Sequence, residues 1–175
     1  VNRYKMFGQD PNYLIESGIS YGNDISFKYD FNRTSLWASY SLSKTTRKDI
    51  MEEYPTHFDR RHNVNLMGTY KMGVDNNWEL SARWNLGSGF PFTKTQGFYE
   101  QLNLNNIDDY ISANGEMGVI YGDRNAGRLP YYHRLDISLK RHIYFGENGK
   151  MEIIAAVTNT YNRPNVFYFD RVSYE

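Results

Sequence analysis

The chain has 175 residues, with 20 Lys+Arg against 20 Asp+Glu and no Cys. Length alone suits one domain or a piece of one, and the balanced charge argues against nucleic acid as a partner. The missing Cys excludes disulfides and thiolate chemistry; 29 aromatic residues (16 Tyr, 10 Phe, 3 Trp) supply an apolar surface that makes wholesale disorder a poor reading.

No run of apolar residues is long enough for a membrane-spanning helix. A transmembrane β-barrel stays open, because its strands alternate and never show such a run. Val1 opens the sequence in place of Met, and no charged segment followed by an apolar one succeeds it. The expectation is an excerpted or processed chain.

In chain order, period-2 alternation predicts six strands. The first places Ile25, Phe27, Tyr29 and Phe31 on one face, alternating with Ser26, Lys28 and Asp30. The second places Leu36, Ala38, Tyr40 and Leu42 opposite Trp37, Ser39, Ser41 and Ser43. The third carries Val64, Leu66, Gly68, Tyr70 and Met72, and the fourth Trp78, Leu80, Ala82, Trp84 and Leu86. The fifth carries Leu135, Ile137, Leu139, Ile143 and Phe145, a series that only Arg141 breaks. The sixth carries Met151, Ile153, Ala155 and Val157. A helix would scatter each set, whereas a strand gathers it on one face.

Short turn signals at 30–33, 74–77 and 146–149 are rich in Asn, Asp and Gly, which tolerate tight hairpins. Long polar connections span 44–61 and 87–132. Three hairpins with short turns at one end and long loops at the other match an outer-membrane barrel. A soluble sandwich or lipocalin-like barrel also alternates, and the turn asymmetry is what favours the membrane.

Several residue groups invite chemistry. His57, Asp59 and His62 form an H-x-D-x-x-H cluster, but this spacing does not converge side chains on an extended chain, so no metal site is expected. Asp59, Arg60, Arg61 and His62, with Arg134 and Asp136, are expected to form a polar cluster at the strand mouth. Asp108, Asp109 and Glu116 could in principle do glycosidase-like acid–base work, yet they sit in an Asn-rich stretch that reads as solvated loop. No nucleophile elbow or phosphate loop occurs, so no catalytic residue is nominated and no cofactor is expected. Phe90, Phe92, Phe98, Tyr99, Tyr110 and Tyr121 in the long connection are candidate ligand contacts; packing of the loop on itself is the alternative.

Five motifs in order resemble the C-terminal part of the barrel of TonB-dependent outer-membrane receptors. They are Tyr40-Ser41-Leu42-Ser43-Lys44-Thr45, the run Tyr54-Pro55-Thr56-His57-Phe58-Asp59-Arg60-Arg61-His62-Asn63-Val64-Asn65-Leu66, and Trp78-Glu79-Leu80-Ser81-Ala82-Arg83-Trp84 followed by Gly87-Ser88-Gly89-Phe90-Pro91-Phe92-Thr93. Arg128-Leu129-Pro130-Tyr131-Tyr132-His133-Arg134-Leu135-Asp136 and Val157-Thr158-Asn159-Thr160-Tyr161-Asn162-Arg163-Pro164-Asn165-Val166 complete the set.

The resemblance implies an all-β, antiparallel up-and-down transmembrane barrel of about 22 strands, of which this chain supplies six. It implies extracellular loops at about 44–61, 87–132 and 161–175, with the plug domain and last strand lying outside 1–175. It further implies a Gram-negative outer-membrane transporter for a scarce nutrient of the siderophore, oligosaccharide, peptide or cobalamin class. The implied partners are outer-membrane lipid, the rest of the receptor, the nutrient, and the TonB complex through an N-terminal region. The residues leave one rival reading, a soluble β-sheet ligand- or carbohydrate-binding module.

Overall fold

The computed structural model describes residues 16–101, 116–146 and 149–168. All regular elements there are strands: β1 (Ser17–Phe31), β2 (Thr34–Lys48), β3 (Glu53–Pro55), β4 (His62–Met72), β5 (Trp78–Gly87), β6 (Pro91–Phe92), β7 (Thr95–Gln101), β8 (Glu116–Tyr121), β9 (Gly127–Arg128), β10 (Tyr132–Phe145) and β11 (Gly149–Val157). Among the described residues no helix is long and apolar enough to cross a membrane.

The six long strands form one antiparallel sheet in the order β1-β2-β4-β5-β10-β11, with β3 added beside the end of β2. The hairpins are those expected from the turn signals. Asn32 takes the left-handed conformation (φ 51°) in the two-residue turn from Phe31 to Thr34. Gly73 (φ 92°) and Asn76 (φ 53°) do so between β4 and β5, and Gly146 (φ 62°) does so after β10. Asn and Gly carry the low cost of that backbone region.

The register unites the six predicted apolar sets. Phe27 pairs with Ala38, Ala38 with Leu66, and Leu66 with Trp84. Trp84 then pairs with Leu135, and Ile137 pairs with Val157. Every apolar set therefore lies on the same face. The opposite face carries cross-strand polar contacts: Asn65 to Ser39, Asn85 to Asn65, Thr69 to Ser81 at 3.2 Å, and Lys140 to Glu79 at 3.5 Å.

Nothing in the described chain covers the apolar face. Ile25 is 66 % exposed, Phe27 59 % and Ile153 52 %. The buried hydrophobic residues among those described are Tyr54 and Leu129, both outside the six-stranded sheet. A globular domain buries its apolar face against a second layer; this sheet has none among the described residues.

The long connections are more ordered than the alternation suggests. β2 runs on to Lys48, and β3 folds back on it through Thr46–Pro55 and Lys48–Glu53 pairing. The 87–132 connection holds two short antiparallel pairs, β6 with β9 and β7 with β8. These segments escape a periodicity test because their two faces are alike in polarity, so the ladder forms with no alternation to announce it. The expected C-terminal loop is described as far as Tyr168; the stretch before Glu16 lies outside the described residues.

Candidate functional site

Above the sheet, at the long-connection end, the chain builds a platform around Asp59. The 56–59 turn is closed by the Asp59 N–H donating to the Thr56 carbonyl at 3.0 Å, and the Thr56 N–H continues the β3 ladder to the Thr45 carbonyl at 3.2 Å. This aims the Asp59 side chain inward, where it is fully buried. Its carboxylate accepts from the Thr45 N–H at 2.7 Å and from the Arg128 guanidinium, with Arg61 at 3.5 Å. Arg128 also donates to the Asp59 carbonyl at 2.8 Å and to the Gly89 carbonyl at 3.3 Å. Burial alone would push the Asp59 pKa up; the Arg128 and Thr45 hydrogen bonds and the two guanidinium charges outweigh it and hold the carboxyl below its ordinary value.

The backbone beneath is packed so closely that side chains are excluded. A Cβ on Gly89 would collide with the Leu129 carbonyl oxygen. Asn125 ties β9 to the rest, donating from its side chain to the Pro55 carbonyl at 2.8 Å and from its backbone to the Thr93 hydroxyl at 3.0 Å.

The expected polar cluster is thus divided. Asp59 and Arg61 meet, but with Arg128, which opens one of the receptor-like motifs and was not expected in this cluster. Arg60 turns to aromatic rings, its guanidinium 4.4 Å from the centre of Phe90 and 5.8 Å from that of Tyr132. His62 stands on the apolar face, in register with Leu42, and its Nδ1 is 2.9 Å from the Tyr40 hydroxyl. Strand alternation separates His62 from Asp59, which lies in the preceding turn. Arg134 and Asp136 form their own pair at 2.7 Å on the polar face, and Asp136 also accepts from the Asn159 N–H at 2.9 Å.

The Asn-rich C-terminal motif returns along β10. Asn165 donates to the His133 carbonyl and accepts from the His133 N–H, both at 3.1 Å. A second cluster, unforeseen because its members are scattered in sequence, joins Glu16, Arg47, Asp49, Tyr54 and Arg124. The Tyr54 hydroxyl donates to Glu16 at 2.7 Å, and Arg124 lies 4.1 Å over the Tyr54 ring. Burial, then the Glu16 hydrogen bond, raises the Tyr54 pKa to about 12.

A cleft of about 460 Å³ opens beside the platform, lined among others by His57, Phe58, Phe90, Phe92, Leu129 and Phe167. Two of the candidate ligand contacts, Phe90 and Phe92, thus line one cavity. Phe98, Tyr99 and Tyr121 lie on the β7–β8 hairpin and are not among its lining residues. Tyr110, with Asp108 and Asp109, lies outside the described residues; Glu116 opens β8. The lining is mostly aromatic and apolar, with Thr93 and Thr95 as its hydroxyl-bearing residues, a composition suited to an amphipathic ligand.

Comparison with protein families, with curated proteins and with solved structures found no match to this chain.

Proposed function

We propose that the chain forms barrel wall and extracellular loops of a TonB-dependent receptor in a Gram-negative outer membrane. The observation that carries this reading is the sheet itself. Six apolar sets coincide on one uncovered face, opposite a hydrogen-bonded polar face. Lipid against one side and a wet lumen against the other would satisfy both. Among the described residues β1 and β11 pair on one side only. In the barrel further strands of the receptor would close these edges, since open edges are not tolerated in lipid.

In this reading the short turns face the periplasm, and the Asp59 platform and aromatic cleft face outward. The cleft contributes to capture of a scarce nutrient of the siderophore, oligosaccharide, peptide or cobalamin class. Transport would draw on the TonB complex acting through another part of the receptor, and this chain would supply wall, lumen lining and loops.

Residues 1–175 contain no Cys, so a cysteine placed among them is unique within this stretch. Spin labels at Ile137 and Ser138, in the intact protein reconstituted in lipid, should alternate: oxygen reaches the first, and a water-soluble nickel relaxant the second. If both labels meet water and the protein is monodisperse without detergent, the soluble binding-module reading replaces this one.

A further inference from the structure

Arg141 has no explanation in the wall alone. Lys44 and Lys48 lie beyond the apolar band, toward the long connections. Apart from them, Arg141 is the only Lys, Arg, Asp or Glu on the apolar face of the six long strands. Its register partners are Trp78 on β5 and Ile153 on β11. Its guanidinium lies over the Trp78 ring, 4.4 Å from the centroid. No ion pair to Arg141 occurs among the described residues. The nearest acids in register, Glu79 and Glu152, stand on the opposite face, paired with Lys140 at 3.5 Å and Lys150 at 2.7 Å.

Trp78 is the first residue of β5 after a short turn, so the pair lies at the turn-side border of the apolar face. In the membrane reading, on which this inference rests, that border is the headgroup level, where Trp is favoured. A guanidinium held over an indole by its π face spends no N–H donor on that contact, and those donors match a phosphate. We propose that Arg141 and Trp78 form a binding point for the phosphate of an anionic phospholipid in the turn-side leaflet. The charge complementarity is direct: a permanent cation on an otherwise uncharged stretch of this face, with no carboxylate paired to it among the described residues.

The test uses the intact receptor in nanodiscs containing equal phosphatidylglycerol and phosphatidylcholine, with retained lipids counted by native mass spectrometry. The wild type should retain phosphatidylglycerol preferentially. Arg141→Gln should cut that preference roughly fivefold, as about 1 kcal/mol per basic residue at a membrane surface implies. Arg141→Lys should keep part of it, and Lys140→Gln, on the other face, should keep all of it. A second measurement needs no change at position 141. Quenching of tryptophan fluorescence by brominated phosphatidylglycerol should exceed that by brominated phosphatidylcholine, and Trp78→Phe should remove the excess. Equal retention in wild type and Arg141→Gln, or equal quenching by the two lipids, overturns the proposal while leaving the membrane reading intact. A receptor that does not enter nanodiscs at all overturns both.

Discussion

Asp59 and Arg128 are 69 residues apart in the chain and meet as an ion pair whose carboxylate is fully buried. The pair fastens the turn before β4 to the arm before β10. Arg128→Met would leave the carboxylate buried with only the Thr45 N–H and the more distant Arg61. It should cost on the order of 3 kcal/mol, the low end for breaking a buried pair, because the turn can open to water. Asp59→Asn keeps an acceptor for Thr45 and should cost less. Hydrogen exchange at 56–61 and 127–129 in the intact protein would show the loss, and a double-mutant cycle should return a coupling well above that of an exposed pair.

The same carboxyl gives the platform an acid limit. Its folded pKa lies below its ordinary value, so the stability it contributes is complete above the unfolded value of about 4. That contribution is lost as the pH falls through the folded pKa. Exchange protection at Thr45 and at 127–129, corrected for intrinsic rates, should therefore stay level from neutral pH to about 4 and decline below. Asp59→Asn should abolish the decline. A decline that begins above pH 5 would point to a different group.

The six-stranded sheet was legible in the sequence and the platform was not, for a physical reason. Leu66, Trp84 and Leu135 announce themselves because one face of each strand is apolar and the other polar, and pairing then aligns them. Beyond Leu42 that contrast ends: Ser43 to Lys48 is polar on both faces, yet the backbone ladder continues. Asp59 was legible as part of a polar cluster, but Arg128 was not, since no local spacing links residues so far apart. His62 was misplaced for the opposite reason. It follows Asp59, Arg60 and Arg61 in sequence, yet as the first residue of β4 its register with Leu42 sends it to the apolar face beside Tyr40.

Two glycines in one motif should respond differently. At Gly89 a Cβ would meet the Leu129 carbonyl, a backbone atom that can move only if the β6–β9 arm moves. At Gly87 it would meet the Arg60 guanidinium at 2.5 Å, the far end of a flexible side chain. Gly89→Ala should therefore loosen the arm and raise exchange at the Leu129 N–H, which donates to the Phe90 carbonyl at 3.0 Å. Gly87→Ala should shift Arg60 off Phe90 and leave exchange at Leu129 near its original rate. Equal effects would mean that the arm, and not the contact, sets the tolerance.

Ile137 and Ser138 are neighbours on opposite faces of β10, and the membrane reading makes their substitutions unequal. Ile137 pairs with Ala82 and Val157 on the apolar face, and Ser138 pairs with Ser81 and Ala156 on the other. An arginine at Ile137 would face lipid near the middle of the strand, at a cost of about 2–4 kcal/mol if it lies at the bilayer midplane. At Ser138 it would face a wet lumen already furnished with Lys140 and Arg83, at a much smaller cost. Urea unfolding of the intact protein in lipid vesicles, followed by tryptophan fluorescence, measures both. If Ile137→Arg unfolds at the same urea concentration as Ser138→Arg, the apolar face is not in contact with lipid at that position.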